Sequence, residues 1–146
     1  MKNVSIKALA VAAALVATGP VRAATLNVDS GWSDFAFGAV GTTATKTFDF
    51  TIVKKAFLTV ADGFFSGDRF EVFANAISLG QTSAPVNGGN FVKNNFDAAA
   101  ASSSFSSGRF LLGPGTYTVS FDVTEVTSSP KGRNNIGAVR LDTAAV

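Results

Sequence analysis

The sequence predicts an all-β protein: an antiparallel β-sandwich, jelly-roll-like, of eight or nine strands with room for one short helix. Apolar and polar residues alternate with a period of two in several segments, and turn-forming residues separate these segments at the spacing of sandwich strands. The chain has fourteen Phe and no Cys, so packed rings rather than disulfides must stabilise it. A closed barrel also hides strand edges, and the sequence leaves that alternative open.

The alternation defines the strands. Phe48, Phe50 and Ile52 alternate with polar residues, and the same pattern recurs at 117–123 and 70–72. Each segment therefore presents one apolar and one polar face, as half-buried antiparallel strands do. The predicted strands are 25–29, 33–38, 45–54, 56–61, 68–74, 76–81, 105–112, 116–126 and 135–143.

Turn signals lie between these segments, at Asp62-Gly63, Ser66-Gly67-Asp68, Gly88-Gly89 and Gly113-Pro114-Gly115. Gly tolerates positive φ, and Asp and Pro favour turn conformations.

One segment, 94–104, departs from the strand pattern because it contains a run of four Ala. Ala is a strong helix former, Asn94 or Asn95 suits an N-cap, and Asp97 would face the positive end of the helix dipole. We predict a short helix here, with a loop of small residues as the alternative.

The first residues have the three parts of a secretory signal. Lys2 and Lys7 give a positive start, an apolar stretch covers 8–17, and Val21-Arg22-Ala23 fits a cleavage site after Ala23. The apolar stretch is much shorter than the roughly 20 residues that cross a bilayer. We therefore expect a cleaved signal peptide at 1–23, a single domain at 24–146, and a secreted product, periplasmic or extracellular, without a transmembrane anchor.

Cleavage would change the charge of the protein. Three of the twelve basic residues precede Ala24, so the mature chain would have nine basic and ten acidic residues, a formal net charge of −1. Nucleic acids and anionic membranes attract strongly basic surfaces. The sequence therefore predicts neither as a partner.

The chain contains no His and no Cys, which excludes His general bases, Cys nucleophiles, Ser-His-Asp triads and nearly all zinc and copper sites. Carboxylate chemistry of the glycosidase kind remains. Most carboxylates, however, lie on polar strand faces or in predicted turns. We predict a protein without catalytic residues.

One loop, 62–68, groups hard oxygen ligands of the kind that calcium prefers. Asp62, Ser66 and Asp68 are the candidate ligands. The spacing matches no dedicated calcium loop, and the alternative is that these residues only form turns.

The only Trp is the candidate ligand-binding residue. Trp32 follows Ser30-Gly31 and precedes Phe35 and Phe37. An exposed Trp has an apolar face on which a sugar ring can stack. The alternative is a core or lid residue at the end of the sandwich, because Trp is on average highly buried.

Several strand and turn motifs resemble a group of secreted β-sandwich proteins of unassigned function, similar to the exported domain of PEP-CTERM-class bacterial proteins. The resemblance covers roughly residues 45–142. The motifs are an apolar strand at 57–62, Gly-Asp-x-Phe-x-Val-Phe at 67–73, Leu-Gly-x-Thr-Ser at 79–83, Phe-Ser-Ser-Gly-x-Phe at 105–110, a Gly turn with Tyr-x-Val at 115–119, and Gly-Ala-x-Arg-Leu-Asp at 137–142.

The resemblance implies a sandwich fold and an envelope or extracellular location. PEP-CTERM proteins continue into a Pro-Glu-Pro motif, an apolar helix and a basic tail, whereas the present sequence ends at Val146 without them. We therefore expect no sorting anchor.

Three function classes remain. The first is a non-catalytic domain that binds an extracellular glycan or a matrix protein, with Trp32 as the residue to examine. The second is a structural matrix or surface subunit that assembles through strand edges. The third is a carboxylate-dependent glycoside hydrolase.

Overall fold

The structure is a computed structural model that describes residues 21–127 and 135–145, so most of the predicted leader lies outside the described residues. Within these ranges there are eleven strands and one helix, α1. Their bounds are β1 Arg22–Thr25, β2 Ser33–Ala36, β3 Lys46–Ile52, β4 Ala56–Asp62, β5 Phe64–Phe65, β6 Arg69–Ala74, β7 Ile77–Gln81, β8 Phe91–Lys93, α1 Phe96–Ala101, β9 Ser107–Leu112, β10 Gly115–Glu125 and β11 Ile136–Thr143.

Nine of the strands form two sheets. One sheet has five strands in the order β1-β3-β10-β6-β7, and the other has four in the order β2-β11-β4-β9. The short strands β5 and β8 pair separately. These are separate open sheets, so the sandwich alternative applies and not the closed barrel.

The pairing is nested in the manner of a jelly roll. Strand β2 pairs with β11, β3 with β10, β4 with β9, and β6 with β7, all antiparallel. Successive strands β2, β3 and β4 alternate between the two sheets, which is how a long hairpin wraps into a sandwich. The predicted jelly-roll-like fold is confirmed.

The core lies between the sheets and consists largely of Phe rings. Phe35 of β2 stacks on Phe121 of β10, with ring centroids 4.2 Å apart, and packs edge-on against Phe70 of β6. The inward residues of the alternating segments are buried, including Phe48 and Val72. Packing across the two sheets therefore supplies the stability for which no disulfide is available.

The predicted strand boundaries agree with the structure to within two residues at each end for eight strands. The first prediction, 25–29, is wrong beyond Thr25. The chain turns at Val28–Ser30, where Asp29 has φ +58° and its carboxylate accepts hydrogen bonds from the N–H and the hydroxyl of Thr143. The strand β1 lies upstream instead, paired parallel with β3, and the predicted cleavage point after Ala23 falls inside it.

The predicted helix is present and short. Asn95 is its N-cap, and the Asn95 side chain accepts a hydrogen bond from the N–H of Ala98 at 3.1 Å. Asp97 lies in the first turn, as expected. The helix packs against β4, β8 and β9. Within the two described ranges, no helix is long and apolar enough to cross a membrane.

Candidate functional site

The outer face of the four-stranded sheet brings together side chains that are far apart in sequence. In β4, Leu58 and Val60 point into the core, so Phe57 and Thr59 point outward. The register places Arg140 of β11 and Arg109 of β9 on either side of Thr59. It likewise places Asp142 and Leu111 on either side of Phe57. With Trp32, these seven side chains form what we call the arginine–aromatic face: Trp32, Phe57, Thr59, Arg109, Leu111, Arg140 and Asp142.

Trp32 precedes β2 and is held at the margin of this face next to α1. Its indole Nε1–H donates a hydrogen bond to Asp97 Oδ1 at 2.9 Å, and its ring is 5.8 Å from that of Phe96. The Trp32 side chain is partly exposed. The ring therefore belongs to the outer surface, with its polar edge fixed by the first turn of the helix.

Arg140 joins Trp32 to the sheet. Its guanidinium carbon lies 5.4 Å from the centre of the Trp32 ring. The same group donates hydrogen bonds to both carboxylate oxygens of Asp142, at 2.7 and 2.8 Å, and lies 3.5 Å from Asp97. The bond to Asp142 raises the pKa of Arg140, so this cation is fixed and fully charged.

Arg109 is arranged differently. Its guanidinium carbon is 3.6 Å from the centre of the Phe57 ring, which places the planar group flat on the aromatic face. The Arg109 side chain is exposed, and among the described residues no carboxylate forms an ion pair with it. Exposed stacking of this kind is worth about 0.5–1 kcal/mol and leaves the edge of the guanidinium free to donate hydrogen bonds.

Sequence reasoning identified Trp32 but missed its neighbours. Phe57, Arg109 and Arg140 occupy outward positions of strands that were predicted from alternation. An aromatic ring and two Arg at outward positions of neighbouring strands are a usable signal, because together they offer both stacking and hydrogen-bond donors. The contacts of Trp32 with Asp97 and Arg140 could not be found this way, since they depend on strand order.

The three predicted calcium ligands lie in the interior. Asp62 at the end of β4, Ser66 and Asp68 are each at most 1% exposed. The N–H groups of Gly63 and Asp68 donate hydrogen bonds to the two carboxylate oxygens of Asp62, at 2.8 and 3.2 Å. Asp68 Oδ1 accepts a hydrogen bond from the N–H of Thr127 at 2.7 Å. The structure thus brings the two Asp together as a buried carboxyl pair.

Ser66 belongs to a different network. Its hydroxyl donates a hydrogen bond to the carbonyl of Gly88 at 3.0 Å and accepts one from Asn90 at 3.4 Å. The described ranges contain no group of three or more His, Cys, Asp or Glu that could hold a metal ion. Calcium binding at Asp62, Ser66 and Asp68 stays a hypothesis.

Burial changes the chemistry of the carboxyl pair. Desolvation, followed by the nearby charge of Asp68, raises the pKa of Asp62 to about 9. With a pKa this high, Asp62 keeps its proton at neutral pH, so the buried pair does not carry two negative charges.

Glycine residues let the chain close around this pair. A Cβ at Gly63 would lie 2.5 Å from the Phe96 ring, and one at Gly67, where φ is +130°, would lie 2.7 Å from the Cβ of Thr127. The loop 62–68 is thus clamped between α1 and the segment that follows β10. Such close packing is typical of a structural role.

A second exposed aromatic group lies on β5 and β8, which the sequence did not predict. The ring of Phe91, which is 55% exposed, is 4.6 Å from that of Phe65 and 6.3 Å from that of Phe64. A cleft of about 220 Å³ lies at the turn between β3 and β4, where Lys54, Lys55 and Thr143 contribute to its walls. Neither feature contains a predicted site residue.

No protein-family model matches the chain, and no curated protein matches it in sequence. The crystal structure of the pre-peptidase C-terminal domain of a collagenase from Bacillus anthracis aligns with 84% of this chain and 97% of its own length, at 12% identity and a TM-score of 0.40. At this identity and TM-score the similarity carries no conclusion about function.

Proposed function

We propose that this protein is an exported, non-catalytic domain that binds an extracellular glycan or another matrix component through the arginine–aromatic face. The observation that carries the proposal is the pairing of two aromatic rings, Trp32 and Phe57, with two guanidinium groups, Arg140 and Arg109, on one side of one sheet. Export is supported by the leader sequence and by the resemblance of the strand motifs to secreted sandwich proteins.

The chemistry of the face suits a sugar. A pyranose ring has an apolar C–H face, which stacks on an aromatic ring, and a rim of hydroxyl groups that donate and accept hydrogen bonds. Arg109 offers donors, Asp142 offers acceptor oxygens, and the Thr59 hydroxyl offers both. Since Arg109 has no carboxylate partner among the described residues, an acidic sugar or a sulfated one would gain a charge-assisted bond there.

The carboxyl groups of the protein are poorly arranged for catalysis on this face. With no His or Cys in the chain, hydrolysis would require a pair of carboxyl groups that flank a substrate. On this face Asp142 accepts hydrogen bonds from Arg140, and Asp62, whose pKa is strongly raised, is buried together with Asp68. A binding role therefore fits these groups better than an acid–base role.

The test is a binding survey on soluble oligosaccharides and insoluble polysaccharides, with matched substitutions on the two outer faces. Phe57→Ala and Trp32→Ala should each weaken binding by roughly tenfold or more, since removing an aromatic anchor usually costs over 1 kcal/mol. Phe73→Ala removes a partly buried ring from the outer face of the five-stranded sheet and should leave binding unchanged.

Two results would contradict the proposal: equal losses in Phe57→Ala and Phe73→Ala, or cleavage of an oligosaccharide by the wild type, which would favour the hydrolase class. A thermal melt of each variant separates loss of binding from loss of fold.

A further inference from the structure

The outer edge of β9 is open over a short and well-defined stretch. The N–H of Asp62 donates a hydrogen bond to the carbonyl of Ser106, and hydrogen-bonded pairs recur at every second residue of an antiparallel ladder. The backbone groups of Gly108, Phe110 and Leu112 therefore point toward β4. Those of Ser107, Arg109 and Leu111 point away from it, in the plane of the sheet.

Both ends of this stretch are closed. Ser83 closes the edge at Ser107, because its N–H donates to the Ser107 carbonyl at 2.8 Å and its hydroxyl accepts from the Ser107 N–H at 3.0 Å. At the other end, the Gly113 carbonyl accepts a hydrogen bond from the hydroxyl of Tyr117 at 2.8 Å. Between these two ends, the outward N–H groups and carbonyls of Arg109 and Leu111, four groups in all, have no hydrogen-bond partner within the described residues.

Two other sheet edges are protected. On β2, the outward carbonyl of Ala36 accepts from Thr45 and that of Asp34 accepts from the Lys46 ammonium. The strand β7 carries a register shift against β6, with Gly80 at φ +115°. Bulges and capped carbonyls are ordinary devices against edge-to-edge pairing. At β9 the described residues provide no such device for Arg109 and Leu111, and Leu111 is 53% exposed.

We propose that β9 pairs antiparallel with β9 of a second copy about a two-fold axis at Phe110, so that Arg109 of each copy lies opposite Leu111 of the other. This register makes four hydrogen bonds, because each Arg109 and the Leu111 opposite it exchange both of their backbone bonds. The two copies would then share one continuous eight-stranded sheet.

Side-chain chemistry favours this register over its neighbours. A shift that places Arg109 opposite Arg109 of the second copy would oppose like charges and make only the two bonds at the axis, since Ser107 is already bonded. The shift that places Leu111 opposite Leu111 makes two bonds at the axis, and its other bonds would have to use Gly113, whose carbonyl already accepts one from Tyr117. In the proposed register each exposed Leu packs beside an Arg that is stacked on its own Phe57.

The pairing is independent of the proposed glycan binding but has a consequence for it. It would place two copies of the arginine–aromatic face side by side on one sheet. Four backbone bonds and two Leu side chains make a small interface, of the weak and reversible kind.

Sedimentation equilibrium over a wide concentration range tests this, using protein expressed with its leader. The wild type should show a reversible monomer–dimer equilibrium. Leu111→Lys should weaken dimerisation and Leu111→Glu should strengthen it, because residue 111 faces Arg109 of the second copy. Each change should be roughly 2- to 30-fold in the dimer dissociation constant, since the axis generates two such pairs.

Ile77→Lys is the matched control, because Ile77 is a 70% exposed residue at the start of the edge strand β7. It should leave the equilibrium unchanged. A wild type that is monomeric throughout, a shift in the same direction for Lys and Glu at position 111, or an effect of Ile77→Lys equal to that of Leu111→Lys would each overturn the proposal. Leu111 is exposed, so the variants should melt close to the wild type.

Discussion

The outer faces of the two sheets differ in how their polar groups are used. On the five-stranded sheet, polar side chains bond to one another across neighbouring strands. The Thr118 hydroxyl donates to Asp49 at 2.8 Å, and the hydroxyls of Thr51 and Thr116 are 3.0 Å apart. On the four-stranded sheet, Arg109 instead lies flat on an aromatic ring, and its guanidinium forms no ion pair with the described residues.

The difference teaches where to look for binding on the outer faces of a sandwich. Side chains that satisfy one another across strands stabilise a sheet by about 0.2–1 kcal/mol per pair but offer little to a ligand. An Arg side chain that is stacked on an aromatic ring still has N–H groups to donate to a ligand. Because the stacking already restricts the side chain, it loses little conformational freedom on binding. This contrast, rather than exposure alone, selects the arginine–aromatic face.

The largest expected effect concerns the two sides of the five-stranded sheet. Phe121 is fully buried and stacked on Phe35, so Phe121→Ala should lower the free energy of unfolding by about 3–5 kcal/mol. The neighbouring Asp122 points outward and accepts a hydrogen bond from the Thr43 hydroxyl. Asp122→Ala should cost less than half as much, and equal losses in urea melts would mean that the two faces are misassigned.

A second effect distinguishes a buried Asp from one on the outer face. Because burial raises the pKa of Asp62 to about 9, the folded state keeps a proton that the unfolded chain loses near pH 3.8, the ordinary pKa of Asp. The stability that this proton contributes is fully present below pH 3.8, decreases as the pH rises, and is lost above about pH 9. Urea melts should therefore give a falling free energy of unfolding between about pH 5 and pH 9.

Asp68→Asn should make this dependence less steep without removing it, because the burial of Asp62, the larger cause of its raised pKa, remains. The new amide can still accept from the Thr127 N–H and can donate to Asp62, which then ionises without a charged neighbour. Asp49→Asn, which removes a carboxylate from the outer face of the five-stranded sheet, is the control. An unchanged slope in Asp68→Asn would show that the charge of Asp68 does not raise the pKa of Asp62.

The smallest expected effect is that of calcium. Both oxygens of Asp62 and one of Asp68 already accept backbone hydrogen bonds, and the Ser66 hydroxyl donates one to the Gly88 carbonyl. We therefore expect no rise in melting temperature on adding calcium. A site at Asp62, Ser66 and Asp68 would instead add about 2.7 kcal/mol at 100 times the dissociation constant. A rise that chelator reverses and Asp68→Asn abolishes would contradict our expectation and establish the site.

The sequence predicted the elements that depend on local pattern. Alternation around Phe121 located β10, and the Asn95 cap with the Ala run located α1. The pairing of β5 with β8 was missed, because strands of two and three residues have too few positions to show a period.

Within the candidate site, Trp32 was identified from the sequence because it is the only Trp, but the side chains around it were not predicted. Its partners Asp97 and Arg140 lie 65 and more residues away, and only the order of strands in the sheet brings them near. The burial of Asp62 and Asp68 was missed for a related reason. Asp beside Gly is the ordinary signature of a surface turn, and what covers this turn is the distant ring of Phe96 and the Thr127 segment.

The central claim, that the arginine–aromatic face binds the ligand, is tested most directly by NMR titration with a glycan that the survey identifies. The single indole N–H, which Trp32 donates to Asp97, and the amides of Phe57 and Arg109 should shift as the ligand is added, while those of Thr118 and Asp49 stay in place. Shifts confined to the five-stranded sheet, or spread equally over both outer faces, would contradict the claim.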